Sequence, residues 1–226
     1  MAGRAVAVRS WLAAGRTGQS CGDWLRPAGR VCSHARGNRL CGNRRGPEAP
    51  PGPAYRQDEF ERSELPGGLD AVIACTSLHH VVGLDEALDK MHALLAPGGV
   101  IVVVEWARER FDEATARWCF DRLPEPHESH LGWLHERHAE WAASGQSWDT
   151  CLRSWAEAEN LHTGQAILDA LQPRFAGQHL SFGPYFFADL GEVSEEDERA
   201  AISAGLIRAN RINYVARKDT APGPPA

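Results

Sequence analysis

Two short apolar segments, separated by a stretch with helical spacing, constrain the fold of this chain more than any other feature. The first is Leu69–Cys75 (LDAVIAC), and the second is Val100–Trp106 (VIVVVEW), which is richer in Val and Ile. Segments of this length that are apolar at nearly every position are typical of strands buried on both faces, as in a parallel sheet. We therefore predict a strand over each segment.

The stretch between the two segments has the pattern of a single helix. Asp85 can cap its amino end, and the Pro-Gly-Gly turn at residues 97–99 predicts its end, so we expect a helix from Asp85 to Ala96. Strand, helix and strand in this order form a βαβ unit, in which the strands are parallel and the crossover is right-handed. The apolar residues of the helix recur every three or four positions and form one stripe: Leu84, Leu88, Met91 and Leu95.

Functional groups are expected at the carboxyl ends of these two strands, because ligands of parallel sheets bind at that edge. Cys75, Thr76 and Ser77 end or follow the first strand. Glu105 and Trp106 end the second strand. The sequence thus predicts a functional site built from these two strand ends.

A long helical region follows, from about residue 112 to residue 171, and two prolines and Gly145 divide it into three or more helices. Four of its tryptophans recur at intervals of seven or eight residues, close to two helical turns. Such a stripe either packs in a core or lines a pocket, and a pocket of this kind favours an apolar or aromatic guest. The four are Trp133, Trp141, Trp148 and Trp155.

The remaining carboxyl-terminal residues predict two strands and one helix. Residues 179–190 and 211–218 each predict a strand, the first interrupted by a Gly-Pro pair. Between them, Ser194 and Asp197 resemble a capping box and predict the start of a helix. The tail, residues 219–226, is expected to be disordered.

Residues 1–54 differ sharply in composition from the rest of the chain. They contain nine Arg, nine Gly and five Pro against only two acidic residues, with no sustained helical or strand period. Because such a segment has little to bury, we predict that it is disordered. Three alternatives stay open: a transit peptide, a zinc site at Cys21, Cys32, His34 and Cys41, or translation of GC-rich coding sequence in a shifted frame.

Composition also limits the partners of the chain. Clustered arginines without interleaved aromatic residues are weak support for nucleic-acid binding, so no nucleic-acid partner is predicted. No apolar run approaches the ~18 to 20 residues of a membrane span, so no membrane partner is predicted. Six cysteines in 226 residues are too few for a disulfide scaffold and favour reduced thiols in a cytoplasmic protein.

Residues 69–106 are similar to the second half of small-molecule methyltransferases of the class I, S-adenosylmethionine-dependent family, of the methyltransferase type 11 kind. That family has an apolar strand, a loop ending in Leu-His-His, a helix, a Leu-x-Pro-Gly-Gly turn and a fifth strand. This chain has all five pieces in order, with Leu78–His80 ending the loop and Leu95–Gly99 forming the turn. The end of the chain also fits, because the family's last strand inserts antiparallel beside the fifth. The resemblance covers residues 55–217.

The resemblance implies an α/β fold with a Rossmann-like methyltransferase sheet and a helical insertion after the fifth strand, at residues 112–171. It also implies the transfer of a methyl group from S-adenosylmethionine to a small organic acceptor, without a metal. In the family, a Gly-x-Gly-x-Gly loop follows the first strand, where a side chain would collide with the cofactor. An acidic residue ends the second strand and holds the ribose.

This chain departs from the family before Tyr55, since no Gly-x-Gly occurs there. We therefore expect a sheet truncated at the amino end, with the first two βα units absent or replaced and the domain spanning residues 55–218. A catalytically inactive methyltransferase-like remnant, or an interaction protein, is the alternative. Missing strands would expose an apolar sheet edge, and such an edge can pair with another chain.

Several site residues follow from the family's pattern. Asp58, Glu59 and Phe60 would follow the third strand, where the family places an acidic residue near the adenine amine. Cys75 and Thr76 lie where the family uses backbone groups to hold the amino-acid end of the cofactor.

Three further residues are candidates for catalysis. His79 or His80 could act as a base, since the pKa of histidine, about 6.5, suits proton transfer near neutral pH. The two are adjacent and point in different directions, so the other is expected to pack. Glu105 ends the fifth strand and either faces the substrate or serves as a structural carboxylate.

Overall fold

The computed structural model describes residues 5–9, 40–44, 55–56, 60–125 and 132–220, the first three of these ranges as backbone only. The strands form one sheet of seven in the order β3-β2-β1-β4-β5-β7-β6. The strands are β1 Ala5–Arg9, β2 Leu40–Arg44, β3 Tyr55–Arg56, β4 Leu69–Cys75, β5 Leu95–Trp106, β6 Ala176–Gly183 and β7 Arg211–Arg217.

Five strands are parallel, and the last two reverse direction. β3, β2, β1, β4 and β5 pair in parallel, whereas β7 pairs antiparallel with both β5 and β6. The insertion of β7 beside β5 agrees with the resemblance to class I methyltransferases. The register aligns Arg9 with Arg44 and with Cys75, and Cys75 with Val104. The carboxyl ends of β2, β1, β4 and β5 therefore lie side by side.

Six α-helices are present in the described ranges. One buried cluster joins β4 and β5 to α1 and α5, and a second joins the end of β5 to α2, α3 and α4. The helices are α1 Leu84–Leu94, α2 Glu113–Phe120, α3 Trp133–Ser144, α4 Trp148–Ala158, α5 Gly164–Leu171 and α6 Glu195–Ser203.

Helix α1 confirms the predicted βαβ unit, but its ends differ from the prediction. Gly83 is the N-cap and no side chain caps the helix, so the prediction that Asp85 is the cap is wrong. Asp85 lies in the first turn and forms an ion pair with Arg174 at 2.9 Å. The helix ends at Leu94 instead of Ala96, because Pro97 disfavours helical geometry at the residue before it.

The helical insertion after β5 is confirmed and consists of α2 to α5. Gly145 ends α3 in the left-handed conformation, with φ 66°, and so separates α3 from α4. The tryptophan stripe is therefore divided between two helices. Trp148 is fully buried, whereas Trp133, Trp141 and Trp155 are half-buried against the same aromatic core.

The carboxyl-terminal elements agree with the prediction, with one shift in position. Ser194 and Asp197 form the predicted capping box at the start of α6. β6 begins at Ala176 and ends at Gly183, and residues 187–189 form a 3₁₀ turn instead of a continued strand. β6 is the edge strand and is exposed at most positions, so its first residues carry no apolar pattern that a reader of the sequence could detect.

The segment 1–54 contributes two strands to the sheet, where the sequence predicted no regular element. β1 pairs with β4 along its whole length, so the edge of β4 on that side is covered. The glycine-rich loop is still missing from the sequence, because β1 is followed by Ser-Trp-Leu-Ala-Ala at residues 10–14. The rest of the segment, including Cys21, Cys32 and His34, lies outside the described residues, as does the tail from residue 221. Disorder of both stays a prediction.

None of the helices in the described part of the chain is both long enough and apolar enough to span a membrane.

Candidate functional site

A buried carboxylate joins the carboxyl ends of β4 and β5. Glu105 is fully buried, and its Oε1 accepts hydrogen bonds from the backbone N–H groups of Ser77, at 2.5 Å, and Leu78, at 2.6 Å. Its Oε2 lies 2.5 Å from Nδ1 of His79 and 3.2 Å from the backbone N of Trp106. One side chain at the end of β5 therefore fixes the segment that follows β4, which we call the histidine loop (residues 76–81).

Glu105 is ionised in this setting. Burial acts to raise the pKa of its carboxyl, but the adjacent His79 and the two backbone N–H donors of Ser77 and Leu78 outweigh burial, so the pKa lies below its usual value. An ionised acceptor at Oε2 favours the histidine tautomer that carries its proton on Nδ1. The other ring nitrogen of His79, Nε2, is then a proton acceptor.

The backbone is strained where the histidine loop begins. Thr76 has a φ of 46°, in the left-handed region that β-branched residues rarely adopt. Its N–H donates to the carbonyl of Val104 at 2.8 Å, which holds the loop against β5. Such conformations are found mainly at functional sites, where the surrounding structure enforces them. The left-handed turn directly follows the last residue of β4.

The two adjacent histidines differ in position. His79 is buried, with 3% of its surface exposed, whereas His80 is half-buried. Their ring centroids are 4.1 Å apart, so the two rings are in contact. His162, between α4 and α5, ties the loop from the other side. Its backbone N–H donates to the carbonyl of His79 at 3.0 Å, and its Nε2 lies 2.9 Å from the carbonyl of Val81.

Aromatic rings from the insertion and from the segment after β6 cover the end of β5. We call the four rings of Trp106, Trp133, Trp155 and Tyr185 the aromatic lid cluster. The ring centroid of Trp106 lies 5.4 Å from that of Trp133, 6.2 Å from that of Trp155 and 6.0 Å from that of Tyr185. The ring of His79 meets Trp106 edge-on at 6.1 Å. The cluster and the histidine loop therefore form one continuous site.

A second buried carboxylate, from α6, positions Tyr185. Glu198 accepts hydrogen bonds from three consecutive backbone N–H groups, those of Tyr185, Phe186 and Phe187, at 2.7 to 2.9 Å. Burial raises the pKa of Glu198, and these bonds only partly oppose the effect. Burial, together with the negative charges of Glu105 and Asp189, raises the pKa of Tyr185 well above its usual value, so its hydroxyl stays protonated.

The structure brings five of the eight predicted site residues together: Cys75, Thr76, His79, His80 and Glu105 all lie at the ends of β4 and β5. Asp58 and Glu59 lie outside the described residues. Phe60 follows β3 and is buried against α1, with Lys90 Nζ 5.1 Å above its ring and 2.6 Å from its carbonyl oxygen.

Sequence reasoning did not identify Tyr185, His162 or Glu198 as site residues. Tyr185 is in the segment that was predicted to continue a strand, and Glu198 is one of several acidic residues in its helix. Only the Gly-Pro pair before Tyr185 signalled a break in the strand. Nothing in the sequence distinguished His162 or Glu198 from surface residues.

Two buried polar atoms of the site have no hydrogen-bond partner among the described residues. They are Oγ of Ser77 and Nε1 of Trp106, in residues that are 2% and 3% exposed. Since Ser77 Oγ bonds to no histidine, Ser77 and His79 do not form a nucleophile–base pair of the hydrolase type. Within the described ranges, no group of three or more His, Cys, Asp or Glu is arranged to hold a metal ion.

The strand ends match S-adenosylmethionine on one side and depart from it on the other. At β4, the left-handed Thr76 and the unpartnered hydroxyl of Ser77 offer polar groups of the kind that an amino-acid end requires. At β1 no glycine follows within five residues, and β2 ends at Arg44 where the family has an acid. The residues at β4 therefore fit the cofactor, and those at β2 do not.

Comparison with solved structures finds many matches of low identity. An S-adenosylmethionine-dependent methyltransferase from Mesorhizobium loti is 17% identical, over 96% of this chain and 92% of that one, with a TM-score of 0.48. The N-methyltransferase NodS from Bradyrhizobium japonicum WM9, in complex with S-adenosyl-L-homocysteine, is 13% identical, over 96% and 78%, with a TM-score of 0.43. No curated protein matches the chain.

The family model of a methyltransferase domain matches residues 22–182, well over half of the chain. The match begins within the arginine-rich segment and continues through β6. It includes both strands that form the site and the whole helical insertion. S-adenosylmethionine is the methyl donor of this family. This chain therefore belongs to the class I, S-adenosylmethionine-dependent methyltransferases.

Proposed function

We propose that this chain transfers a methyl group to a small organic acceptor, with His79 as the base that accepts the proton of the nucleophile. One observation carries the proposal: the buried, ionised Glu105 binds Nδ1 of His79 and, through Ser77 and Leu78, fixes the loop that presents it. A carboxylate that orients a histidine in this way leaves Nε2 basic.

The residues divide into two roles. His79 would contact the acceptor and take its proton at Nε2, whereas Glu105 is a positioning residue that acts through His79. His80 packs against the ring of His79 and is the second candidate for the base. When bound, S-adenosylmethionine supplies a methyl group on a positively charged sulfur and leaves as a neutral thioether. Proximity and orientation can then provide much of the rate enhancement.

The cofactor would lie along the carboxyl ends of β4 and β1. The backbone of Cys75 and Thr76 and the hydroxyl of Ser77 would hold its amino-acid end. The left-handed turn at Thr76 lies at the end of β4, and the buried hydroxyl of Ser77 has no partner among the described residues. Asp58 and Glu59 come two and three residues after the end of β3 in the sequence and would approach the adenine amine. Phe60 would act indirectly, by anchoring this segment to α1.

The alternative is a methyltransferase-like protein that has lost activity. Arg44 at the end of β2 favours it, since a guanidinium donates hydrogen bonds and cannot accept them from ribose hydroxyls. The absence of glycine directly after β1 favours it as well. Because β1 covers β4, an interaction role for such a remnant would need a surface other than the β4 edge.

Calorimetric titration of S-adenosylmethionine into the full chain tests the proposal. Binding in the micromolar range, about −8 kcal/mol, is expected if the site is competent. The control is the same titration of His79→Asn, which should retain cofactor binding because His79 is assigned to the acceptor. If the folded protein gives no heat at millimolar cofactor, the proposal of an active methyltransferase is refuted, and the alternative of a methyltransferase-like protein without activity is retained.

A further inference from the structure

The indole N–H of Trp106 is a buried donor without an acceptor. The residue is 3% exposed, and its Nε1 has no hydrogen-bond partner among the described residues. An indole N–H can only donate, so no rotation of the group replaces a missing acceptor. A buried donor left in this state lowers stability, and such groups are rare in native proteins unless a ligand or function explains them.

Other tryptophans of the same core have acceptors. Nε1 of Trp148 donates to the carbonyl of Phe111 at 2.6 Å, and Nε1 of Trp141 donates to the carbonyl of Gln146 at 3.0 Å. Nε1 of Trp133 lies 3.5 Å from Oδ2 of Asp189. The fold thus supplies acceptors for the indoles of Trp133, Trp141 and Trp148. Within the described ranges it supplies none for the indole of Trp106, which contacts the ring of the proposed base.

The surroundings of Trp106 limit what could supply the acceptor. Rings of the aromatic lid cluster face it at 5.4 to 6.2 Å, and three of the four, those of Trp133, Trp155 and Tyr185, are half-buried. These three are carried by elements outside the β4–β5 unit, on α3, on α4 and in the segment after β6. A flat molecule that enters from their exposed side would stack on these rings and reach the indole.

The charges around Trp106 also limit which molecules could bind there. The ionised Glu105 directly precedes Trp106, and Asp189 lies beside Trp133. A negatively charged guest would therefore be repelled by two carboxylates. The guanidinium of Arg137, which lies 4.8 Å from the ring centroid of Trp155, is itself paired with Glu140 at 2.6 Å. Burial and the neighbouring negative charges keep the hydroxyl of Tyr185 protonated. The same two effects would favour the neutral form of a bound guest over its anion.

We propose that the indole N–H of Trp106 binds the methyl acceptor, and that this acceptor is an uncharged, planar aromatic molecule with a carbonyl oxygen or ring nitrogen facing Trp106. The proposal rests on the proposed function, since it assigns the substrate class of the same site. The nucleophilic O–H or N–H of the acceptor would face His79, whose ring meets Trp106 edge-on. Trp106 is then a binding residue that fixes the orientation of the acceptor.

The test is a pair of titrations followed by tryptophan fluorescence on the full chain. The first probe is isoquinolin-1-one, which is planar, neutral and carries one carbonyl, and the second is 2-naphthoate, a planar anion of similar size. The native protein should bind the neutral probe at least tenfold more tightly than the anion. Trp106→Phe keeps a ring but removes the N–H, and it should weaken binding of isoquinolin-1-one about tenfold.

Two matched variants separate binding from folding. Trp118→Phe changes a tryptophan of α2 outside the cluster and should leave probe affinity unchanged. Both substitutions remove packing area from a buried ring, but Trp148→Phe also removes a hydrogen bond and leaves the carbonyl of Phe111 without it, so its melting temperature should fall further than that of Trp106→Phe. A Trp106→Phe protein that melts as low as Trp148→Phe would show that the indole is structural and overturn the proposal.

The other possible results of the probe titrations also test the proposal. Unchanged probe affinity in Trp106→Phe would overturn the role of Trp106. Equal binding of the two probes, or no binding of either probe by the native protein at millimolar concentration, would overturn the proposed substrate class. Calorimetry with S-adenosylmethionine on the same samples reports separately on the proposed function. A native protein that binds the cofactor while Trp106→Phe binds the probe normally refutes only the role of Trp106.

Discussion

Replacing Glu105 with glutamine should change which nitrogen of His79 carries the proton. In the native site Oε1 accepts two loop N–H groups, and Oε2 faces Nδ1 of His79. A glutamine keeps the loop bonds only if its carbonyl oxygen takes the place of Oε1, which turns its NH₂ group toward His79. Nδ1 must then accept, so the proton moves to Nε2 and the nitrogen proposed as the base becomes a donor.

The stability cost can be worked from the same contacts. The two bonds at Oε1 survive, but the bond from an ionised acceptor to His79 becomes a neutral one, and the N–H of Trp106 at 3.2 Å meets an amide donor. Loss of a charged hydrogen bond and one unsatisfied buried donor together cost about 3 kcal/mol. For a chain of this size the melting temperature should fall by about 6 to 12 °C.

Nitrogen NMR of labelled histidine, with a methyl-transfer assay, measures both consequences. The imidazole nitrogens of His79 should report a proton on Nδ1 in the native protein and on Nε2 in Glu105→Gln. Transfer to an acceptor whose nucleophile carries a proton should fall by about 10² to 10⁴, the usual contribution of a general base. Cofactor affinity should change little, because the loop bonds to Ser77 and Leu78 are kept.

Glu109→Gln is the matched control, because Glu109 is also a carboxylate that accepts hydrogen bonds from backbone N–H groups. Glu109 is exposed and accepts hydrogen bonds from the N–H groups of Gly164 and Gln165 at 2.9 and 3.0 Å, with no histidine involved. It should lower stability by less than about 1 kcal/mol and leave transfer unchanged. Full transfer by a folded Glu105→Gln protein, or an unchanged His79 tautomer, would refute the reasoning.

Three further predictions follow from the same contacts. Ser77→Ala should weaken S-adenosylmethionine binding about tenfold in calorimetry without lowering the melting temperature. Its control, Ser63→Ala, removes a buried hydrogen bond to the carbonyl of Phe60 at 2.8 Å, so it should lower the melting temperature and leave cofactor binding unchanged. The lowered pKa of Glu105 contributes stability that is present above pH 4.5 and lost as the pH falls through the folded pKa. Urea unfolding of the native chain should therefore lose more stability below pH 4.5 than that of Glu105→Gln, and parallel pH profiles would contradict the assignment. Arg44→Asp should tighten cofactor binding about tenfold or more, and no gain would argue against a ribose contact at the end of β2.

The sequence predicted the βαβ unit because its signals are local. Leu69–Cys75 and the strand from residue 100 to residue 106 are apolar at nearly every position, and Pro97 marks a boundary that no helix crosses easily. Ser194 and Asp197 form a cap by contacts three residues apart. Each of these features needs only neighbouring residues to be recognised. The start of β5 is the exception in position, because the strand begins at Leu95, within the predicted turn, instead of at Val100.

The remaining features depend on partners that are distant along the chain. β1 and β2 are five-residue strands in a glycine- and arginine-rich segment. β1 is held by pairing with β4, and β2 by pairing with β1, instead of by their own pattern. Asp85 is a good cap by residue type, yet the helix starts one residue earlier and Asp85 pairs with Arg174 instead. Glu105 was recognised as a site residue, but its partners, 26 to 28 residues away, could not be read from the sequence.

The part of the site proposed to bind the acceptor and the part proposed to bind the cofactor differ in how closely they follow the family's pattern. This difference predicts which step, cofactor binding or methyl transfer, would be impaired. Beside Glu105, the ring of His79 contacts Trp106 of the aromatic lid cluster, and two backbone N–H groups of the histidine loop bind the carboxylate. On the cofactor side, Arg44 and the sequence after β1 depart from the pattern. A protein impaired in this way should bind S-adenosylmethionine weakly yet still transfer the methyl group once the cofactor is bound. Raising the cofactor concentration should then restore turnover, with an elevated KM and a kcat typical of the family. A low kcat at saturating cofactor would instead place the defect at His79 and Glu105, and the proposed base would be wrong.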